Sequence, residues 1–164
     1  MNIQPTAPSL WSRMACWMYE GLLMFGVYFL SDYLFDTLSQ SRHALQNLHA
    51  RQAFLFVVAG IYFAWFWSHG QTLAMKTWRI RLVDTHGQAV SQLRALARYC
   101  LSWVWFLPPL ALIAPFSPGV GLTIGVLTTW VLVWALSSRL QRQGQFWHDM
   151  WAGTRLVTVT PAHP

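Results

Sequence analysis

The fold is decided by residues 10–30, which read LWSRMACWMYEGLLMFGVYFL. This stretch holds two charged residues, Arg13 and Glu20, and it is long enough to cross a bilayer, which takes roughly 20 apolar residues. The whole chain agrees, because 55% of its 164 residues are hydrophobic and 10% are charged. Soluble domains carry about 25% charged residues, and disordered chains combine low hydrophobicity with high charge. The composition therefore indicates a small integral membrane protein.

Four apolar stretches predict an all-α membrane protein, a bundle of four transmembrane helices. The spans lie at about 10–30, 48–67, 99–114 and 120–136, within one transmembrane domain over residues 1–164. The last two spans are separated by Pro115–Gly119 (PFSPG), and two prolines with a glycine are typical of a helix end and a tight turn. A single bent helix is the rival interpretation, but the stretch from Tyr99 to Leu136 is too long for one span. A polar loop at 68–98 and a polar tail at 139–164 complete the chain.

Lysine and arginine predict the orientation. Four spans put only Arg42 and Arg51 on one side and the other nine of the eleven cations on the opposite side. By the positive-inside rule, the side with nine is cytoplasmic, together with both termini. The net charge of +6 is then a topology signal, which makes the lipid bilayer a partner and excludes nucleic acid. The nine are Arg13, Lys76, Arg79, Arg81, Arg94, Arg98, Arg139, Arg142 and Arg155.

Two polar segments alternate in the manner of β-strands. Thr77–Asp84 (TWRIRLVD) places Trp78, Ile80 and Leu82 on one side, and Thr154–Thr160 (TRLVTVT) alternates in the same way. Both lie on the side predicted to be cytoplasmic, and a lone strand leaves its backbone groups without partners. We expect a small strand pair or β-hairpin that joins the loop to the tail. Two independent extended segments are the alternative.

Helical signals also occur at the membrane surface. Ser91 is a suitable N-cap for a helix that begins at Gln92 and runs into the third span. Residues 145–153 (QFWHDMWAG) predict a short interfacial helix. The apolar face expected for it consists of Phe146, Met150 and either Trp147 or Trp151.

Tryptophans cluster near the predicted span ends, a position typical of the aromatic belt at a membrane surface. Cys16 and Cys100 fall in or beside spans, where we expect small packing residues rather than a disulfide. The eight tryptophans of the expected belt are Trp11, Trp17, Trp65, Trp67, Trp103, Trp105, Trp147 and Trp151.

Glu20 lies at the centre of the first predicted span, where a charged side chain costs about 2.5–3.5 kcal/mol or more. Such a residue is expected to be neutral, to be paired, or to face a polar cavity. It shares one helix face with a stripe that should point into the bundle. Two interpretations remain open: a carrier of protons or cations, and one part of a buried polar network that holds the helices together. The stripe consists of Arg13, Trp17, Glu20, Met24 and Val27.

No motif in the chain predicts an enzyme. It has no Gly-rich phosphate loop, no nucleophile elbow and no cysteine cluster. The histidines lack the spacing of metal ligands, so we expect neither a metal nor a cofactor. The histidines considered are His43, His49, His69, His86 and His148.

Three blocks of sequence are similar to the RDD family of small bacterial membrane proteins, which is named for an arginine and two aspartates. The first is Trp11-Ser12-Arg13 with Glu20 seven residues later. The second is Ser68-His69-Gly70-Gln71-Thr72-Leu73, followed by Arg79-Ile80-Arg81-Leu82-Val83-Asp84. The third is His148-Asp149-Met150-Trp151-Ala152-Gly153-Thr154, followed by Arg155-Leu156-Val157. Glu20 stands where the family has its first aspartate, and Ala74-Met75 stand where relatives often have Gly-Lys.

The resemblance implies a multi-pass protein of the bacterial inner membrane and a polar network of Arg13, Glu20 and Asp149. It also singles out a cytoplasmic motif of Gly70, Gln71, Thr72, His148, Gly153 and Thr154. We expect Arg13 and Asp149 to contact each other at the cytoplasmic mouth of the bundle, with Glu20 deeper.

The family's molecular role is mostly unassigned, and some members are linked to cation/proton exchange. Two functions therefore stay open for this chain. It could transport a proton or small cation on Glu20, with four helices suggesting a homo-oligomer. The alternative is a non-transporting scaffold that holds another membrane protein.

Overall fold

The computed structural model describes residues 2–4, 7–39, 47–141 and 144–160. Within these residues, four helical segments are long and apolar enough to cross a membrane, which confirms the four-span prediction. The segments are Leu10–Ser39, Leu48–Thr77, Gln92–Phe116 and Val120–Leu140. Arg42, His43 and Arg142, which figured in the predicted polar segments, lie outside the described residues.

The regular elements follow in chain order. The helices are α1 (Leu10–Ser39), α2 (Leu48–Ser68), α3 (Leu73–Thr77), α4 (Gln92–Ser102), α5 (Leu107–Ile113), α6 (Val120–Ser137) and α7 (Trp147–Trp151). Short 3-10 turns follow α4, α5 and α6 at Trp103–Trp105, Ala114–Phe116 and Ser138–Leu140. The strands are β1 (Asn2–Gln4), β2 (Ile80–Asp84) and β3 (Thr154–Thr160).

Helix α1 continues nine residues beyond the predicted end at Leu30 and closes at Ser39. Asp32 and Asp36 therefore lie on the helix, one turn apart, and not in a loop. Arg51 of α2 binds both: its Nη1 donates to the Asp32 carboxylate at 2.8 and 3.0 Å, and its Nη2 donates to Asp36 Oδ1. This ion cluster joins α1 to α2 at one end of the bundle and explains why two acidic residues remain helical.

The third segment begins at Gln92, seven residues before the predicted span. The Oγ atom of Ser91 accepts a hydrogen bond from Arg94 N at 3.4 Å, which confirms the expected N-cap. The segment is not continuous, because the 3-10 turn at Trp103–Trp105 separates α4 from α5. Pro108 lies in the first turn of α5, where a proline removes no intrahelical hydrogen bond. Arg98, which was assigned to the polar loop, consequently lies inside the bundle.

The predicted pairing of loop and tail is confirmed. Strands β2 and β3 are antiparallel, with Leu82 opposite Leu156. They are 70 residues apart in the chain and so do not form a hairpin, and β1, which was not predicted, pairs with the other edge of β3 to give the order β1-β3-β2. Ile80, Leu82 and Leu156 belong to the same buried core as Met75 of α3. The sheet therefore packs against one end of the bundle, which we call the sheet end.

Helix α7 confirms that a short helix follows the fourth span, and two residues of its expected apolar face lie on its exposed side. His148 and Asp149 are buried, whereas Met150 and Trp151 are about half exposed. Burial of the polar pair follows from the partners that the bundle supplies to it, described below. Phe146, also expected on the apolar face, precedes the helix as its N-cap and is buried.

Apolar side chains cover the outside of the helical segments. Phe25, Leu112 and Val120 are each at least 70% exposed, and α6 buries only Ala135 fully. Such a surface would be a liability in water, but acyl chains cover it in a bilayer. The surface therefore agrees with the composition.

Candidate functional site

Glu20 lies on α1 inside the bundle, at the level of the sheet-end turn that precedes α3. Its carboxylate accepts a hydrogen bond from Tyr62 Oη of α2 at 2.9 Å and another from Thr72 Oγ1, which precedes α3. Glu20 itself is 8% exposed. Three segments thus meet at one carboxylate. Because α1 continues to Ser39, Glu20 lies on the sheet-end side of the midpoint of the helix.

Thr72 has two roles at once. Its Oγ1 accepts a hydrogen bond from Met75 N at 3.2 Å, which caps α3, while its hydroxyl proton is donated to Glu20. The short helix and the buried acid are therefore held by the same side chain.

Gly70 and Gln71 attach this turn to the sheet. The carbonyl of Gly70 accepts from Leu82 N at 2.7 Å, and Gln71 Nε2 donates to the carbonyl of Ile80 at 2.7 Å. Gly70 has a φ of +90°, and a Cβ there would lie 2.8 Å from Arg81 Nε. A residue with a Cβ would be strained at this φ, and this part of the motif implied by the resemblance connects α2, β2 and the Glu20 site.

Asp149 pairs with Arg98 instead of Arg13. The Arg98 Nε donates to Asp149 Oδ1 at 2.6 Å, and both side chains are almost fully buried. Within the described residues, Arg13 comes no closer than 4.0 Å to an Asp149 oxygen, so the expected direct contact is absent. The three nevertheless lie in one region, because Arg13, Arg98 and Asp149 all act electrostatically on His148.

His148 lies between these charges and remains neutral at pH 7. Its Nδ1 accepts a hydrogen bond from Trp105 Nε1 at 3.1 Å, and its Nε2 lies 3.3 Å from Asp149 Oδ1. Burial lowers the pKa of His148 to about 4. The charge of Asp149 raises this pKa, whereas the charges of Arg98 and Arg13 lower it. With Nδ1 accepting, the ring proton is on Nε2 and faces Asp149.

Gly153 and Thr154 terminate α7 and hold Asp149 in place. Gly153 has a φ of +65° immediately after the helix, which is the usual conformation of a helix-ending glycine. The hydroxyl of Thr154 donates to the carbonyl of Asp149 at 3.1 Å. These two motif residues therefore shape the turn between the buried acid and β3.

Arg13 is buried, and among the described residues no carboxylate lies within 4.0 Å of it, although the charge of Asp149 acts on it from farther away. Its guanidinium carbon lies 4.3 Å from the centre of the Phe146 ring, a cation–π contact. Among the residues that the structure describes, its Nε and Nη1 atoms have no hydrogen-bond partner. This residue is 6% exposed.

A cleft of about 720 Å³ connects these groups. Arg13, Glu20, Arg98 and His148 line it, and the rest of its wall is mainly apolar and aromatic. One wall is α1, the other is the third segment from Arg98 to Phe106, and residues of the sheet and of the approach to α7 close the sheet end. The cleft reaches Glu20, so its carboxyl group faces an internal space.

Four tryptophans of the expected aromatic belt, Trp17, Trp67, Trp103 and Trp105, line the cleft, and two of them contact its polar groups. Trp105 donates to His148, and Trp67 packs under the guanidinium of Arg98, whose central carbon lies 4.1 Å from the ring centre. Both are buried, whereas Trp11 and Trp65 are exposed as a belt requires.

Sequence reasoning missed Arg98 and Tyr62. Arg98 looked like a loop charge, although Ala95, Arg98 and Tyr99 follow a helical i, i+3, i+4 spacing after the Ser91 cap and are all buried. That spacing is the signal that could have identified it. Tyr62 carries no comparable signal. No group of three or more His, Cys, Asp or Glu that could hold a metal ion occurs in the described part of the chain.

One comparison with known proteins is informative. The family model described as the RDD family matches residues 7–153, which is most of the chain and includes Arg13, Glu20, Arg98, His148 and Asp149. No curated protein and no solved structure matches the chain significantly.

Proposed function

The chain belongs to the RDD family, and from this premise we propose that it moves protons across a membrane, with Glu20 as the group that binds and releases them. The observation that carries the proposal is the kind of partner that Glu20 has. Both hydrogen bonds that it accepts from the described residues come from hydroxyl groups, those of Tyr62 and Thr72. A hydroxyl donates to a carboxylate and accepts from a carboxylic acid, so both protonation states can be accommodated.

The other acids that the structure describes differ from Glu20 in this respect. Asp149 is bound by Arg98, Asp32 and Asp36 are bound by Arg51, and Asp84 lies 3.6 Å from Arg94. An arginine stays charged in proteins and holds its partner ionised. Within the described residues, no cation lies within 4.0 Å of Glu20. Glu20 is therefore the acid best suited to exchange a proton.

The cleft supports a proton over a metal ion as the transported species. Its charged lining is two arginines and one glutamate, which disfavours a second cation beside Glu20. Ion sites for metals also collect several oxygen ligands. We place the sheet end in the cytoplasm of a bacterium, because it carries most of the lysines and arginines. A second copy of the chain would supply the further helices that a transport path needs.

A scaffold function has its own supporting observation. Glu20 ties α1 to Tyr62 and Thr72, and Arg98 ties α4 to α7. Such a buried network is also what a structural connection between helices requires. In this alternative the protein would hold another membrane protein and conduct nothing.

Proton flux into proteoliposomes separates the two functions. A pH-sensitive dye inside the vesicles reports acidification when a potassium diffusion potential, negative inside, is imposed. We expect flux above that of protein-free vesicles for the wild type, loss of it for Glu20→Gln, and retention for Asp32→Asn, a matched acid-to-amide change on the same helix. Equal flux in Glu20→Gln and wild type would exclude Glu20 as the carrier, and absence of flux in the wild type would favour the scaffold.

A further inference from the structure

Arg13 is a buried cation with unused hydrogen-bonding capacity. It lines the cleft and is 6% exposed, and in the described residues its Nε and Nη1 have no partner. Leaving a buried charged donor without an acceptor is costly. Arg98, the other cation of the cleft, is bound to Asp149. The two donor atoms of Arg13 therefore point to an anionic group as the missing partner.

Arg13 is the cation at the sheet end of the cleft that has no carboxylate within 4.0 Å among the described residues. Arg98 is bound to Asp149, whose charge also acts on Arg13 from a greater distance, and His148 is neutral at pH 7. Glu20, the one carboxylate among the described residues that line the cleft, lies seven residues from Arg13 along α1. That separation corresponds to about 10 Å along the helix axis. An anion at Arg13 is thus separated from Glu20 by about two helical turns.

The mouth of the cleft lies among apolar side chains of α1. Met18, Leu22 and Phe25 line the cleft and are also 65%, 67% and 70% exposed. In a membrane such side chains contact acyl chains. The cleft is therefore open toward the lipid, and it leads from there to the guanidinium of Arg13.

Successive turns of α1 form a path from the mouth of the cleft to the guanidinium of Arg13. Trp17, Gly21 and Phe25 follow each other at four-residue spacing, and all three line the cleft. Gly21 leaves this path open, because a Cβ there would meet nothing within 4 Å. A chain of methylene groups fits along such a surface.

We propose that this cleft binds an anionic phospholipid, whose phosphate is held by Arg13 and one of whose acyl chains lies along Trp17, Gly21 and Phe25. Binding requires no transport by Glu20, so the inference goes beyond the proposed function. Lipid binding is measured without proton flux, so the lipid proposal and the proton-transport proposal can fail independently of each other.

The test uses the full chain in a neutral detergent, with native mass spectrometry to count bound lipid. The probes are dioleoyl phosphatidylglycerol and dioleoyl phosphatidylcholine at equal concentrations, and glycerol phosphate as the free headgroup anion. Arg13→Gln removes the cation, and Arg139→Gln removes an exposed cation at the end of α6 as its control. Gly21→Leu fills the path, and Gly26→Leu makes the same change on α1 at another glycine with nothing within 4 Å of its Cβ.

We expect the wild type to bind one phosphatidylglycerol at least about tenfold more tightly than phosphatidylcholine, the effect of hydrogen bonds to a charged group. Arg13→Gln and Gly21→Leu should each lose this preference, and both controls should keep it. Gly21→Leu introduces no buried clash, so it tests the site even if Arg13→Gln fails to fold. Equal loss in Arg13→Gln and Arg139→Gln, unchanged binding in Gly21→Leu, or equally tight binding of glycerol phosphate would each overturn the proposal.

Discussion

Arg98 of α4 donates a hydrogen bond of 2.6 Å from Nε to Oδ1 of Asp149 on α7, and both side chains are buried. The two residues are 51 positions apart in the chain. Their pairing connects the third membrane segment to the tail that forms the central strand of the sheet. The Trp67 ring packs against the guanidinium of Arg98 in a cation–π contact.

Replacement of Arg98 should destabilise the protein strongly. Arg98→Gln leaves the Asp149 carboxylate buried without its cation, and breaking a buried pair in this way costs about 3–5 kcal/mol. Thermal unfolding in detergent, followed by near-UV circular dichroism, measures the effect. Arg94→Gln is the control, because Arg94 is half exposed and lies 3.6 Å from Asp84. Similar unfolding midpoints for Arg98→Gln and Arg94→Gln would show that the buried pair contributes no more to stability than the exposed one.

Thr72 should tolerate serine but not valine. Thr72→Val keeps the shape and removes the hydroxyl that caps α3 and donates to Glu20. Loss of a cap costs about 0.5–2 kcal/mol, and the lost donor to Glu20 adds to this. Thr72→Ser retains the hydroxyl and should unfold close to the wild type. A Thr72→Val variant that unfolds like the wild type would show that the hydroxyl does not contribute to stability at this position.

Stability should fall as the pH is lowered from about 6.5 to about 4 through the protonation of His148. Burial lowers the pKa of this histidine from 6.5 to about 4. Between those values the unfolded chain binds a proton that the folded chain does not, so acid favours unfolding. The stabilisation is complete above pH 6.5, and up to about 3 kcal/mol of it is lost by pH 4, at about 1.36 kcal/mol per unit of pKa.

Unfolding midpoints between pH 4 and pH 7 measure this dependence. His148→Gln should flatten it, whereas His69→Gln, at an exposed histidine, should leave it unchanged. A wild-type slope that persists in His148→Gln would assign the pH dependence to another group.

Gly70 should not accept alanine. Its φ of +90° is unfavourable for any residue with a Cβ, and that Cβ would lie 2.8 Å from Arg81 Nε. We expect Gly70→Ala to lower stability by about 1–2 kcal/mol. Gly26→Ala, on α1 with nothing within 4 Å of its Cβ, should be neutral or slightly stabilising, since alanine favours a helix. A neutral Gly70→Ala would mean that the turn can rearrange without loss of the sheet contact.

Local patterns in the sequence predict the elements, and pairs of distant residues determine the site. Hydrophobic length was enough for the four spans, and two-residue alternation was enough for the β2–β3 pair. The end of α1 was missed because Asp32 and Asp36 look like loop residues until Arg51 of another helix is known to bind them. The partners of Glu20 are 42 and 52 residues away, and no local period predicts such a distance. For the same reason Asp149 was assigned to Arg13, although the cation that binds it is Arg98.

We propose that Glu20 exchanges a proton with the cleft that it lines. Infrared difference spectroscopy of the protein in liposomes tests it most directly, because the C=O stretch of a protonated carboxyl group reports on the acid itself. We predict a band that grows on acidification in the wild type and in Asp32→Asn and is missing in Glu20→Gln. The same band in Glu20→Gln at undiminished intensity would contradict the account.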